Sequence, residues 1–308
     1  MPDSILSVGV SVPTYTNVEM LRRCLLTCRT HLPEDTPMVV VDDSGNGSTV
    51  AALHAEFPAV TWIVHERNLG FGPSANEAVM SNPADVVILL NDDVELLSSP
   101  VESLRRAFAD HSFFAVTFRS LNENGEFREG AKRLVWRLGY PKILHNVRDQ
   151  AVPHDGLQAS SYAVGGHAAF LRETFAALGG FDPLFEPFYW EDVDLSVRAA
   201  QQGWTCVYLP DCAVRHAGPS SIRESQLSRF IRQTTLRNRI LFAWRHATPA
   251  QRKWLGFSLW WQRLMGDRTF QDAYRSAHER WKSFSTQTGE STREAQATGV
   301  PLGDKRAR

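Results

Sequence analysis

Three short segments place carboxylates where they call for an explanation. "FYWEDVDLSV", residues 188–197, sets Glu191, Asp192 and Asp194 among aromatic and apolar neighbours. Such acids can offset the unpaired amides of a helix N-terminus, or one of them can act as a base. "VVVDDS" carries Asp42 and Asp43 directly off an apolar run. They suit an Asx turn or helix cap, and equally the acceptance of hydrogen bonds from a nucleobase or ribose beyond a sheet edge. In "VVILLNDDVE" the apolar positions lead straight into Asn91, Asp92 and Asp93. Two uncompensated carboxylates at the end of a central strand are costly to bury. A divalent cation, Mg²⁺ or Mn²⁺, would turn their repulsion into coordination and take phosphate oxygens as well; a solvated turn is the alternative.

The elements that must hold these groups alternate. "ILSVGVSV", "PMVVVDD", "VTWIV", "DVVILLNDD" and "FFAVTF" are short, Val- and Ile-rich runs separated by helical patterns. That order predicts an α/β fold with a mainly parallel sheet, whose ligands bind beyond the carboxyl ends of the strands. "HERNLGFGPSANEAV" has two glycines before a helix, but is neither a Walker loop nor a complete GxGxxG pattern. Residues 121–160 have weak periodicity and read as a long excursion lining or covering a site. A second ordered block follows, with helices near 172–178 and from 191, each stopped by glycine. "WTCVYLP" reads as a strand, "AVRHAG" as an edge or loop, and residues 223–247 and 252–281 as two amphipathic helices.

Lys and Arg number 33 against 34 Asp and Glu, so global charge points to neither nucleic acid nor an acidic membrane surface. The local balance differs. Residues 223–282 hold thirteen Lys or Arg, four Asp or Glu and five of the nine Trp. Two packed helices with arginines on the solvated faces account for this, as does contact with an anionic lipid surface. Four cysteines lack metal-finger spacing, and a reducing compartment is the simple reading. Cys206 and Cys212 are expected to flank a strand and turn. The start carries no secretory signal pattern and no stretch reaches the roughly 20 apolar residues of a bilayer span. The expected location is the cytoplasm, with peripheral contact at the inner face of the cell membrane left open.

In order and approximate spacing, "VSVPTYTN", "VVVDDSGNGS", "ERNLGFGPSANEA", "ILLNDDVEL", "GGHAAFLRETFAALGGFDPLFEPFYWEDVDLSVRAAQQGW" and "AVRHAGPSS" resemble glycosyltransferase family 2, in its bacterial rhamnosyltransferase-like branch. The resemblance runs from about residue 6 to 239. It implies a GT-A fold, a nucleoside-diphosphate sugar donor and a divalent metal. It places Thr14 and Tyr15 beside the nucleotide, Asp43 at its base or ribose, and Asn68 and Gly70 in the supporting loop. Asp92 and Asp93 stand at the metal and donor motif, with Asn91 where many relatives have Asp. Asp93 is the first choice of metal ligand and His216 its partner. Asp192 is the implied base of an inverting transfer, with Glu191, Trp190 and His167 on the acceptor side. Asp194 reads as structural support, and Arg237 or Arg239 as a reach to phosphate.

The implied domains are a catalytic part over 1–220, its nucleotide half ending near 120, a helical extension over 221–284 and a mobile tail over 285–308. The implied function is sugar transfer to a saccharide or lipid-linked saccharide in envelope or surface polysaccharide synthesis, rhamnose being one candidate. A homodimer remains open. Two other readings stay open as well: a sugar nucleotidyltransferase, which would release pyrophosphate, and a non-catalytic nucleotide-sugar-binding protein.

Overall fold

The computed structural model describes residues 6–110, 112–145, 157–216 and 224–288. The expected tail beyond residue 288 and the end of "AVRHAGPSS" lie outside the described residues. Two units are resolved, one of residues 1–133 and 144–220, the other of 134–143 and 221–308.

The first unit is built on the apolar runs. β1 (Val8–Thr14), β2 (Met38–Asp42), β3 (Thr61–Val64) and β4 (Val86–Leu90) alternate with α1 (Val18–His31), α2 (Ser48–Leu53) and α3 (Phe71–Ser81). β4 is buried throughout and β1 likewise, as expected for strands covered on both faces. β1 pairs in parallel with β2 and β4, and β2 with β3. All four therefore end at one edge, where Thr14, Asp42, Asp43 and Asn91–Asp93 emerge. β5 (Val94–Leu96), α4 (Val101–Phe108), β6 (Phe113–Leu121) and β7 (Phe127–Glu129) follow.

After β8 (Arg133–Arg137), β9 (Tyr140–Leu144) and the short β10 (Gln158–Ser160) comes β11 (His167–Leu171), which enters the sheet between β4 and β6, antiparallel to both. The sequence reading had no strand there, because five residues give too short a pattern to separate from the helix that follows. α5 (Arg172–Ala177), a 3₁₀ turn (Pro183–Phe185), α6 (Glu191–Gln201) and β12 (Thr205–His216) complete the unit. β12 is longer than "WTCVYLP": it runs in parallel with β6, shifts register between Leu209 and Ala213, and continues through "AVRH" against β5. Cys206 and Cys212 thus both lie within β12 and, like Cys24 and Cys28, are free and buried.

Asn82, just beyond α3, ties this sheet to its helix. It is buried; its Nδ2 donates to Val10 O at 2.9 Å and its Oδ1 accepts from Ala84 N at 3.1 Å. The bond is possible because residue 9 is glycine, where a Cβ would lie 2.3 Å from Asn82 Oδ1.

The second unit is helical: α7 (Glu224–His246), α8 (Pro249–Met265) and α9 (Arg268–Thr288), with the β8–β9 hairpin. Where the sequence reads as two helices there are three. Thr248 caps α8 with a reciprocal Gln251 bond, and Gly266 ends it. Trp244 on α7 meets Tyr274, His278 and Trp281 of α9 at ring distances of 5.9, 6.4 and 6.1 Å. Arg239 stacks 4.1 Å over Tyr140 and donates to Pro141 O at 2.6 Å, so its guanidinium is engaged by the hairpin. No helix among the described residues is long and apolar enough to cross a membrane.

Asn82→Ala removes a buried donor and acceptor together and takes from Ala84 N the bond to Asn82 Oδ1. The expected loss is about 1–3 kcal/mol in urea unfolding; an unchanged midpoint would show that the tie is not carrying stability.

Candidate active site

The strand register assembles the site. His216 pairs with Val94 across β12 and β5, which brings the preceding residue, Asp93, against the imidazole: Asp93 Oδ2 is 3.3 Å from His216 Nε2. Asp92 turns the other way. Its Oδ2 accepts from Thr14 Oγ1 at 2.7 Å. Burial is the main cause that raises Asp92 to about 6, with Asp93's charge adding and the Thr14 bond opposing.

Behind His216 lies a group that sequence reasoning missed. Ser120 of β6 pairs with Glu129 of β7 on one side and Val214 of β12 on the other, so Glu129 faces His216. Glu129 Oε1 is 3.9 Å from His216 Nδ1 and 3.9 Å from His167 Nε2, while Oε2 pairs with buried Lys132. Burial alone would raise Glu129, but the charges around it, His167 and Lys132 foremost, hold it at about 2. His167 is fully buried and burial lowers it to about 4, so at neutral pH it carries no charge and Lys132 is the counter-ion that remains. Neither ring nitrogen of His167, nor His216 Nδ1, has a hydrogen-bond partner among the described residues. Glu129 and Lys132 lie inside the aperiodic 121–160 segment, where the only signal is an acid and a base three positions apart.

The second acidic group sits at the start of α6. Tyr189 and Trp190 hold positive φ values of 71° and 78° just before it, a conformation disfavoured for bulky residues. Trp190 is buried, whereas Tyr189 is 46% exposed and is the aromatic ring open to a ligand. Glu191 is buried, and its Oε2 has no hydrogen-bond partner among the described residues; burial, then Asp192's charge, pushes its carboxyl well up. Burial also raises Asp192 to about 6, against the N–H bonds it accepts from Val193 at 2.8 Å and Gly165 at 3.4 Å. Asp194 is structural: it pairs with Arg198 at 2.8 Å, and Arg198 in turn donates to the carbonyls of Leu178 and Gly180 at the end of α5.

One segment, residues 165–167, touches both acidic groups. Gly165 donates to Asp192, Gly166 O accepts from Asn91 N at 2.9 Å, and His167 approaches Glu129. A Cβ at Gly166 would lie 2.5 Å from Asn91 Nδ2, so this segment passes only as glycine. The Tyr189 phenol is raised by burial and then by Glu191, Asp192 and Asp93, and therefore lies within electrostatic reach of both groups.

The remaining residues proposed from sequence surround this edge. Tyr15 is 52% exposed and Asn68 is exposed. Asp43 is buried and bound to the protein: it accepts from Leu69 N and Gly70 N at 2.8 Å each and meets His65 Nδ1 at 2.7 Å. Gly70, at φ 92°, lets this loop turn into α3 against Pro187, two residues before Tyr189. Asp42 caps α2 through the N–H groups of Thr49 and Val50.

Residues 10–179 match the family described as glycosyl transferase family 2. The chain belongs to glycosyl transferase family 2. The matched residues include Asp92, Asp93, Glu129 and His167 and stop before Asp192 and His216. N-acetylglucosaminyl-diphospho-decaprenol L-rhamnosyltransferase of Mycobacterium tuberculosis is 25% identical, over 66% of this chain and 73% of that protein. Two solved structures share the fold. GalNAc-T7, crystallised with UDP, GalNAc and Mn²⁺, has a TM-score of 0.60 at 17% identity, covering 78% of this chain and 48% of its own, so this chain spans about half of that one. The mannosyltransferase PcManGT of Pyrobaculum calidifontis, with GDP-Man and Mn²⁺, has a TM-score of 0.55 at 21% identity, covering 99% and 89%. The first unit of this family 2 chain is accordingly a GT-A fold.

The residues fit the divalent cation that the family implies. Asp93 and His216 converge from paired strands, and burial leaves Asp92 beside them short of positive charge.

Asp192 and Glu191 destabilise the fold when ionised. A carboxyl raised in the folded state contributes no penalty below its unfolded value of 3.8, and lowers stability as pH rises through about 6. Asp192→Asn should therefore be more stable than the parent at pH 8, by at most about 3 kcal/mol since Asp192 keeps some solvent contact, and the gain should vanish near pH 4. Urea unfolding at both pH values measures it; an equal difference at the two would overturn the assignment of strain to this carboxylate.

Proposed function

We propose that this family 2 chain is an inverting glycosyltransferase that moves a sugar from a nucleoside-diphosphate donor to a saccharide or lipid-linked saccharide. The observation that carries the reading is the Gly165–His167 segment, which touches the β4 end (Asp92, and Asp93 against His216) through Asn91 and the acids at the start of α6 through Asp192. A nucleotidyltransferase or a mere binder has no evident use for the second group.

In this reading Thr14, Tyr15, Asn68 and Gly70 line the nucleotide's side of the edge. Asp43 acts through the loop that it holds, with at most one oxygen lone pair left for ribose or base. Asp93 and His216 would hold a divalent metal, which would supply positive charge to the departing diphosphate. An imidazole beside a carboxylate suits Mn²⁺ better than Mg²⁺, which prefers an all-oxygen shell. Asp192 takes the proton of the acceptor hydroxyl while that oxygen attacks the anomeric carbon from the face opposite the departing diphosphate. Its value near 6 suits a base working around neutrality, and Glu191 beside it is pushed up by burial and by Asp192's charge. Tyr189 offers an aromatic face to the acceptor.

The likeness to a rhamnosyltransferase whose acceptor is a decaprenyl diphosphate sugar makes rhamnose and a polyprenyl-diphosphate-linked N-acetylglucosamine the specific pair to try first.

The test is a panel of nucleoside-diphosphate sugars, read by donor binding and by release of nucleoside diphosphate, with Mn²⁺, Mg²⁺ or chelator and that acceptor. Turnover should need the cation, with Mn²⁺ the better of the two. Asp93→Asn should weaken donor binding by about tenfold or more, and Asp192→Asn should cut turnover by about 10²–10⁴ with donor binding retained. Transfer at the parental rate by Asp192→Asn would remove it as base, and pyrophosphate release from a nucleoside triphosphate would favour the nucleotidyltransferase.

A further inference from the structure

The basic, tryptophan-rich region divides sharply in the structure. Trp244 and Trp281 are buried, as a packed helical unit requires, whereas Trp254, Trp260 and Trp261 on α8 are 57, 45 and 47% exposed. Phe257, Leu264 and Met265 are more than half exposed beside them. At roughly 100° per residue, these six side chains fill one sector of roughly 140°. Leu255 and Leu259, the buried residues of α8, lie on the opposite side. The helix is thus apolar on both faces and turns its larger, aromatic face to solvent. Singly exposed apolar residues need no explanation, but a continuous stripe of six does.

Charge identifies the occupant. α8 has no acidic residue and Lys253 is exposed within the apolar sector, while the half-buried Arg252 and Arg263 lie toward the Leu255–Leu259 side, Arg252 donating to Ala247 O and Arg263 stacking over Tyr274; Asp267 and Arg268 follow. A second copy of this face would offer the exposed Lys253 no acid on α8 to pair with. An anionic lipid surface meets both properties at once: Trp and Phe favour the headgroup–acyl boundary, while Lys and Arg extend to the lipid phosphates. At seventeen residues α8 is too short to span a bilayer, and it does not meet the hydropathy of a span. It has the composition of a helix lying in the interface plane.

We propose that the outward face of α8 docks this protein on an anionic phospholipid bilayer, with Trp254, Phe257, Trp260, Trp261, Leu264 and Met265 entering the interface. The proposal rests on the functional reading only in that a lipid-linked acceptor would be met at the same boundary; the surface is read from α8 itself.

The experiment is flotation of the full chain with vesicles of phosphatidylcholine alone or mixed with an equal share of phosphatidylglycerol, beside a Phe257→Ser, Trp260→Ser, Trp261→Ser variant. These side chains are exposed, so the variant should keep the parental melting temperature, which is measured alongside. The parent should float with the mixed vesicles and show a blue shift of tryptophan emission, and should bind neutral vesicles weakly. The variant should bind the mixed vesicles at least about tenfold less. Absence of binding to the mixed vesicles, equal binding by parent and variant, or a lipid-free parental dimer that the substitutions dissociate would each overturn the proposal. Turnover of a water-soluble acceptor analogue is measured separately. Vesicle binding without turnover counts against the transferase reading alone, and turnover without vesicle binding counts against this surface alone.

Discussion

The site depends on one topological constraint, the insertion of β11 between β4 and β6 in the direction opposite to both. An antiparallel strand begins where its neighbour ends. The turn leading into β11 therefore lies at the edge where β4 delivers Asn91, Asp92 and Asp93. That turn is Gly165–Gly166–His167, and each residue meets a different part of the site: the carboxylate of Asp192, the backbone of Asn91 and the carboxylate of Glu129. With a parallel strand in this place, its entry would lie at the far edge and the two acidic groups would have no common support. The absence of a side chain at Gly166 follows from the same arrangement, since Asn91 fills the space that a Cβ would need.

Within this frame, the acids fall into two classes according to where their compensation comes from. Asp42, Asp43, Asp194 and Glu129 are compensated by the protein through backbone amides, His65, Arg198 and Lys132. Asp92 and Asp192 keep hydrogen bonds, from Thr14 and from the amides of Val193 and Gly165, yet they and Glu191 are raised, chiefly by burial. Burying an acid without a partner opposes folding, so such groups persist where something outside the chain, a cation or an exchangeable proton, completes them. The contrast marks the second class as the candidates for chemistry in the proposed reading.

The sequence carried the first half of this account better than the second. The apolar runs and the residues that end them were legible because strand burial writes itself as composition, and the resemblance named the GT-A fold that the topology bears out. β11 was not legible, being five residues merged with α5. Nor was the compensation of the acids. "VVVDDS" and "LLNDDVE" look alike, yet Asp43 is satisfied by amides 26 and 27 residues further along while Asp92 has a threonine and little else. Glu129 and Lys132 were hidden for the same reason: their partners come from strands distant in sequence, and no local period marks them. In the helical unit, the count of basic and aromatic residues was visible, but not which tryptophans turn inward, since α8 has apolar residues all around.

Lys132 shows how the two classes depend on each other. A buried lysine is itself expensive, and its pairing with Glu129 makes the floor beneath His216 close to neutral. His167, uncharged at neutral pH because of its burial, leaves that floor unchanged. His216 is then flanked by a compensated carboxylate on its Nδ1 side and by Asp93 on its Nε2 side. Without Lys132, Glu129 would add an uncompensated carboxylate near Asp93, and the edge would repel anions more strongly. With Lys132 in place, the negative charge left uncompensated by a lysine or arginine is that of the β4 end, and the lysine thus fixes where the site is short of positive charge.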